Sequence, residues 1–255
     1  MKKIKLNKYE KKTFRDLLVL IPLIILITIM SRSIPDGTLR YQLPENNVGE
    51  KAIALTFDDG PSGYTEELLD GLKENNAKAT FFVIGSKAEK NPQIIKRAFA
   101  EGHLIGNHTY DHIRLPLKSM DECEESIGKT FNIIENITGE RPMYFRAPYG
   151  DVSAYQLKEL DVVFVNWSFS SLDWKHKDSD YIYERIMKKA SDGDIILLHD
   201  TSKETVDAVL RAIPELQAQG YEFVRVDELL SRNGEKIKMG TPYRWCKHEH
   251  SAFSF

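Results

Sequence analysis

Two adjacent aspartates, Asp58 and Asp59, close an apolar run immediately before Gly60-Pro61. Turn formation explains acidic residues before Gly-Pro, but two like charges at the end of a buried strand repel each other and call for a cation. His108 and His112 stand four apart in His108-Thr109-Tyr110-Asp111-His112, a spacing that shares one face if the segment makes a helical turn. A histidine pair alone reads as surface or core. Joined to a strand-end aspartate it becomes a two-histidine, one-carboxylate set, suited to zinc or another divalent metal with a position left open for water. Arg146-Ala147-Pro148-Tyr149-Gly150 reads as an ordinary loop or as a guanidinium steering a carboxylate, beside a backbone N–H free to bind an oxyanion. His199, followed by Asp200, reads alone as a core histidine with a capping aspartate.

These residues need elements that bring them to one place. Short apolar runs over 52–57, 79–84, 103–107, 144–146, 162–166, 194–198 and 222–226 read as strands. Between them, 64–75, 92–101, 120–137, 154–160, 179–190 and 204–219 carry helical periodicity, with Asn91-Pro92 as a cap followed by proline at the first helical position. Alternation of this kind means parallel pairing with helices outside the sheet. Asp58 and Asp59 follow the first run, His108 and His112 the third, and Arg146 ends the fourth. Asp173 lies past the fifth and His199 ends the sixth. The C-terminal edge of parallel strands is where α/β sites are built, and five runs deliver Asp, His or Arg to it. An open doubly wound sheet and a closed barrel share this periodicity.

The chain has 255 residues, 10% of them aromatic, with 15 Gly and 10 Pro, which excludes low-complexity and disordered classes. Its net charge of -3 hides an asymmetry. Residues 1–16 hold seven Lys/Arg against Glu10 and Asp16; beyond them, Arg32 aside, acidic residues exceed basic ones by nine. An acidic body argues against nucleic acid as a partner. Residues 17–34 form an apolar segment after this basic leader, and a helix from Phe14 to Ile34 would span ~31 Å. The basic flank places the leader in the cytoplasm and the body outside the cell membrane. Ser31-Arg32-Ser33 is a poor cleavage site, which favours a single-pass anchor over a cleaved signal. Residues 35–50 read as a linker, 51–232 as the domain and 233–255 as a polar tail, whose Trp245-Cys246-Lys247-His248-Glu249-His250 has at most adventitious metal affinity. Cys123 and Cys246 allow one bridge or two free thiols. Nothing in the pattern specifies an oligomeric state.

Taken together, Thr56 to Pro61, His108 to His112, Arg146 to Gly150, Leu172-Asp173-Trp174 and Leu197 to Asp200 resemble, in order, the motifs of the polysaccharide deacetylases of carbohydrate esterase family four, the chitooligosaccharide and peptidoglycan deacetylase group. The resemblance covers roughly residues 50–230. It implies a distorted (β/α) barrel of about seven parallel strands and removal of acetyl groups from an acetylated glycan, with N-acetylglucosamine of peptidoglycan as the first substrate and chitin oligomers or O-acetyl xylan as alternatives. It also implies one divalent metal, Zn2+ with Co2+ or Ni2+ as alternatives, held by Asp59, His108 and His112. Asp58 then matches the general base, His199 the general acid, Arg146 the holder of the base and Asp173 the carboxylate that tunes the acid. Tyr149 matches the oxyanion-binding backbone N–H, and Trp174 and Leu198 the apolar walls of the acetyl pocket. Ser170 departs from the pattern, standing where many members carry another aspartate. A catalytically silent glycan-binding module on the same fold is the competing reading.

Overall fold

The computed structural model describes residues 51–232 and 237–244. Among the described residues eight strands form, β1 (Lys51–Asp58), β2 (Ala79–Val83), β3 (Leu104–Asn107), β4 (Tyr144–Phe145), β5 (Val163–Phe164), β6 (Phe169–Ser170), β7 (Ile195–His199) and β8 (Tyr221–Phe223). Their order is β5-β4-β3-β2-β1-β7-β6, with β8 pairing the start of β1, and every pair is parallel. The terminal strands β5 and β6 are not paired with each other, so the sheet is a curled half-barrel, a distorted form of the expected (β/α) barrel. β6 has two residues, too few to show a period, and the sequence pattern missed it. The expected last strand is shorter than 222–226 because Val226 opens a helix.

The helices are α1 (Thr65–Glu74), α2 (Gly85–Lys90), α3 (Pro92–Ala100), α4 (Met120–Thr138), α5 (Ala154–Glu159), α6 (Ser179–Lys189), α7 (Lys203–Ala218) and α8 (Val226–Ser231). Their ends follow local chemistry. Ser119 and Glu122 close a capping box on α4, and Gly139 ends it at φ 80°. Ser153 and Gln156 do the same at the start of α5. Pro92 takes the first position of α3 as expected, but the Asn91 side chain does not cap that helix; its Nδ2 donates to Lys87 O of the preceding turn at 3.0 Å.

Period-two alternation sorts the strands into two cores. Ile53, Leu55 and Phe57 of β1 pack outward with Leu68, Leu69 and Leu72 of α1 and Val206, Val209 and Ile213 of α7. Ala52 and Ala54 face inward, with Phe82, Ile195 and Val224, and with Leu229 and Leu230 of α8. Burying one such leucine or phenylalanine contributes roughly 1.5–3 kcal/mol. This packing holds the C-terminal strand ends as a rigid rim. Residues 237–244, read from the sequence as tail, lie along β5: Tyr243 bridges Val165, and Asn166 N donates to Tyr243 O at 2.7 Å. No helix among the described residues is long and apolar enough to cross a membrane, and the expected span over 17–34 lies outside them, as does Cys246.

Candidate active site

The register of β1 against β7 pairs Asp58 with His199 and Phe57 with Leu198. In parallel strands, paired residues share a face. Asp58 and His199 therefore stand side by side on the inner face at the rim, while Leu198 joins Phe57 in the outer core, fully buried. This corrects the expectation for Leu198. It cannot wall a pocket on the face of His199; Leu197, paired with Thr56, is on that face.

Arg146 follows β4 and is completely buried. Its Nη1 donates to Asp58 Oδ1 at 2.8 Å and to Thr56 Oγ1 at 2.7 Å, Nε to Val165 O at 3.0 Å and Nη2 to Asn166 O at 2.9 Å. The guanidinium lies 4.3 Å from the centroid of the Phe82 ring. A Cβ at Gly106, next to Phe82 on β3, would come within 2.5 Å of that ring, so only glycine leaves room for the Phe82–Arg146 stack. Burial pulls the guanidinium below its ordinary pKa and Asp58 opposes that. Such a group stays charged. Asp58 is thereby held as an acceptor, its Oδ2 3.8 Å from His108 Nε2.

Asp173 does the corresponding work for His199. Its Oδ1 accepts from His199 Nδ1 at 3.0 Å and from Trp174 N at 2.9 Å; its Oδ2 accepts from His199 N at 2.6 Å and Thr205 Oγ1 at 3.1 Å. Burial alone would lower the imidazole, but the hydrogen bond and charge of Asp173, with Asp58 and Asp59 beyond, raise it to about 9. With Nδ1 committed, Nε2 is the nitrogen left to exchange a proton. Ser170, at the place of departure from the family pattern, accepts Leu172 N on Oγ at 3.1 Å and Arg185 Nε on its carbonyl at 2.8 Å; it supports the backbone leading to Asp173.

The third corner holds Asp59, His108 and His112, with one ligand atom from each within 4.8 Å of the others. Asp59 Oδ1 is 3.4 Å from His108 Nε2 and 3.2 Å from His112 Nε2. The two histidines do not meet through a helical turn, as the spacing suggested. Strand β3 ends at Asn107, Thr109 and His112 take φ of 64° and 55°, and the loop folds both rings toward Asp59, itself at φ 69°. Tyr149 (62°) and Leu172 (62°) are also left-handed. Each such non-glycine residue costs roughly 1–2 kcal/mol, and strain of this kind collects at functional sites.

The donor set fits a cation. His108 Nδ1 lies 2.7 Å from Arg146 O, and the imidazole can only donate there, which leaves the neutral ring a lone pair on Nε2 facing the carboxylate. Asp59 Oδ1 is buried without a hydrogen-bond partner. Lone pairs converging on an orphaned carboxylate oxygen repel unless a positive ion sits among them. Burial lowers the His112 pKa, Asp59 opposing and His108 adding to it, which favours the neutral, ligating form.

Tyr149 is exposed, with its ring edge-on to His112 at 4.7 Å and the Arg114 guanidinium 5.2 Å from its centroid. Its backbone N–H has no acceptor among the described residues. Trp174 is exposed to 63% at the rim. Sequence reasoning missed Thr56, Thr205 and the carbonyls of Val165 and Asn166. Thr56 was within reach, lying two residues before Asp58 on the same strand face.

A polysaccharide deacetylase family model matches residues 45–163. The peptidoglycan-N-acetylmuramic acid deacetylase PdaA of Bacillus subtilis is 40% identical over 192 residues, covering 72% of this chain and 73% of that protein. The chain belongs to the polysaccharide deacetylase family. A second member, the peptidoglycan-N-acetylglucosamine deacetylase PgdA of Listeria monocytogenes, is 38% identical over 217 residues, covering 85% of this chain and 46% of that protein. This family member thus spans about half the length of that relative. Among solved structures, a family 4 acetyl xylan esterase from Clostridium thermocellum in complex with a cobalt ion superposes with a TM-score of 0.72 at 34% identity, covering 76% of this chain and 98% of that one.

Proposed function

We propose that this protein is a metal-dependent hydrolase that removes the acetyl group from N-acetylglucosamine residues of peptidoglycan. The observation that carries the reading is the in-register pair Asp58 and His199, one held by Arg146 and the other by Asp173, beside an orphaned Asp-His-His corner. Asp59, His108 and His112 would hold the ion, most simply zinc, with cobalt or nickel as alternatives; when bound it supplies Lewis-acid polarisation of the acetyl carbonyl and activation of water. Asp58 accepts the proton of the attacking water as its oxygen bonds to the acetyl carbon. The Tyr149 N–H donates to the oxygen that gathers negative charge. His199 enters charged and passes its Nε2 proton to the departing amine as the C–N bond breaks, leaving acetate and a free amino group. Trp174 offers an exposed ring against which the sugar packs.

Outward placement on a single N-terminal span, drawn from the leader's charge and hydropathy, would bring the domain to the wall. There each turnover exposes an ammonium group. The test is acetate release by the full chain in detergent, metal-stripped and then reloaded with zinc, cobalt or nickel. Its substrates are peptidoglycan, N-acetylglucosamine oligomers, muramic-acid-containing glycan and O-acetyl xylan. Metal-dependent release on peptidoglycan or N-acetylglucosamine oligomers supports the proposal. Release only from O-acetyl xylan or from muramic acid moves the substrate. Silence on all four despite stoichiometric metal would instead identify a glycan-binding relative with a vestigial site.

A further inference from the structure

One fully buried carboxyl has no part in the proton transfers above. Asp200 directly follows His199 and is 0% exposed. Its Oδ2 accepts a hydrogen bond from Thr65 Oγ1 and its backbone carbonyl accepts one from Ser62 Oγ. Thr65 Oγ1 also accepts from Ser62 N at 2.8 Å, so one hydroxyl of the β1–α1 loop and one from the first residue of α1 close on this one residue. The carboxyl packs on the Cα of Gly60: a Cβ there would stand 2.6 Å from both of its oxygens. Oδ1 has no hydrogen-bond partner.

Gly60 is the residue after the ligand Asp59. The carbonyls of this dipeptide are held from the opposite side, Asp59 O by Lys87 Nζ at 2.8 Å and Gly60 O by Ile84 N at 3.0 Å. Asp59 therefore stands in its left-handed conformation between two clamps, one from the β2–α2 junction and one from Asp200. Backbone strain persists only where the surroundings over-determine it. The Gly60–Asp200 contact also joins the loop carrying the metal-site carboxylate to the strand end carrying His199.

We propose that Asp200 is a positioning residue: through Gly60, Ser62 and Thr65 it sets the place of the Asp59 carboxylate among His108 and His112. The inference rests on the reading of those three residues as a metal site. Its test is zinc affinity of the full-length protein, measured by competition with a chromophoric chelator, alongside thermal unfolding of each metal-free variant. Asp200→Ala is expected to weaken zinc by about tenfold or more, and Thr65→Val by a smaller factor. Asp200→Asn, which keeps the shape and the acceptor for Thr65, should restore affinity to within about threefold of wild type. Gly60→Ala should weaken zinc in the wild-type background and add little on top of Asp200→Ala, since groups in contact are not additive.

Zinc affinity within about twofold of wild type in a folded Asp200→Ala protein would overturn the proposal, as would a fall in unfolding temperature with affinity unchanged. If Asp200→Ala does not fold, Thr65→Val and Gly60→Ala carry the same comparison, and unchanged affinity in both overturns it. Zinc binding that follows the expected pattern in a protein releasing no acetate would support the positioning role and sink the deacetylase reading. A wild-type chain that binds none of zinc, cobalt and nickel stoichiometrically would overturn both.

Discussion

Asp58 and Asp173 are both almost wholly buried, 3% and 2% exposed, and each meets a nitrogen partner at short range, 2.8 Å to Arg146 and 3.0 Å to His199. The partners set them apart. Arg146 is fully buried, spends its donors on Asp58, Thr56 and two carbonyls, and keeps its proton at any working pH. His199 keeps a partly exposed ring edge and titrates. The same pair geometry thus yields a carboxylate fixed as acceptor on one strand end and a histidine charged as donor on the neighbouring one. Two paired strand ends thus carry an acceptor and a charged donor side by side because the counter-ions differ, not because the carboxylates do.

Breaking the fixed pair should have the largest effect. Arg146→Met leaves Asp58 buried without its counter-charge and is expected to destabilise the fold by about 3–5 kcal/mol and abolish turnover, read by denaturant unfolding and acetate release. Asp58→Asn with Arg146→Met should recover part of that stability; no recovery would mean that the arginine's packing on Phe82, not its charge pairing, holds this corner. Asp58→Asn alone is expected to lower kcat by roughly 10²–10⁴ while leaving metal affinity in place. Near-normal turnover in that variant would remove Asp58 from the base role.

The titrating pair sharpens the contrast through pH. The folded His199 sits above its ordinary value of 6.5, at about 9, so its contribution to stability is complete below about pH 6.5 and is lost as pH rises through about 9. Asp173→Asn should flatten that dependence and draw the alkaline limb of kcat down by about one unit or more. A pH–rate profile with an unmoved alkaline limb would show that His199 is charged by something other than Asp173. The smallest effect belongs to the rim. Trp174→Ala should raise KM by a factor of about five, with kcat and unfolding temperature nearly unchanged.

Much of this is legible in the sequence. Asp58, Asp59, Arg146 and His199 each close or follow a run whose apolar pattern marks a strand, and parallel sheets collect such residues on one rim. The errors have local causes. The resemblance gave Leu198 as a pocket wall, whereas strand parity turns it with Phe57 into the outer core. His108 and His112 suggested a helical turn because a spacing of four is the helix's own, whereas Thr109 and His112 reach the same meeting through left-handed backbone that residue types do not announce. Strand β6, two residues long, exists through pairing and is too short to show a period.

By itself the sequence determined the parallel α/β architecture, the chemistry available at the strand ends and the order in which the motifs arrive, since these follow from residue type and periodicity along the chain. Only the tertiary structure decided that β1 lies in register with β7 so that Asp58 and His199 are neighbours. It also decided that the Arg146 guanidinium threads between Thr56, Asp58 and the Val165 and Asn166 carbonyls, and that Asp200 seats against Gly60. Those relations join residues up to about 140 positions apart. They are chosen by sheet register and core packing, quantities that no local stretch of residues carries.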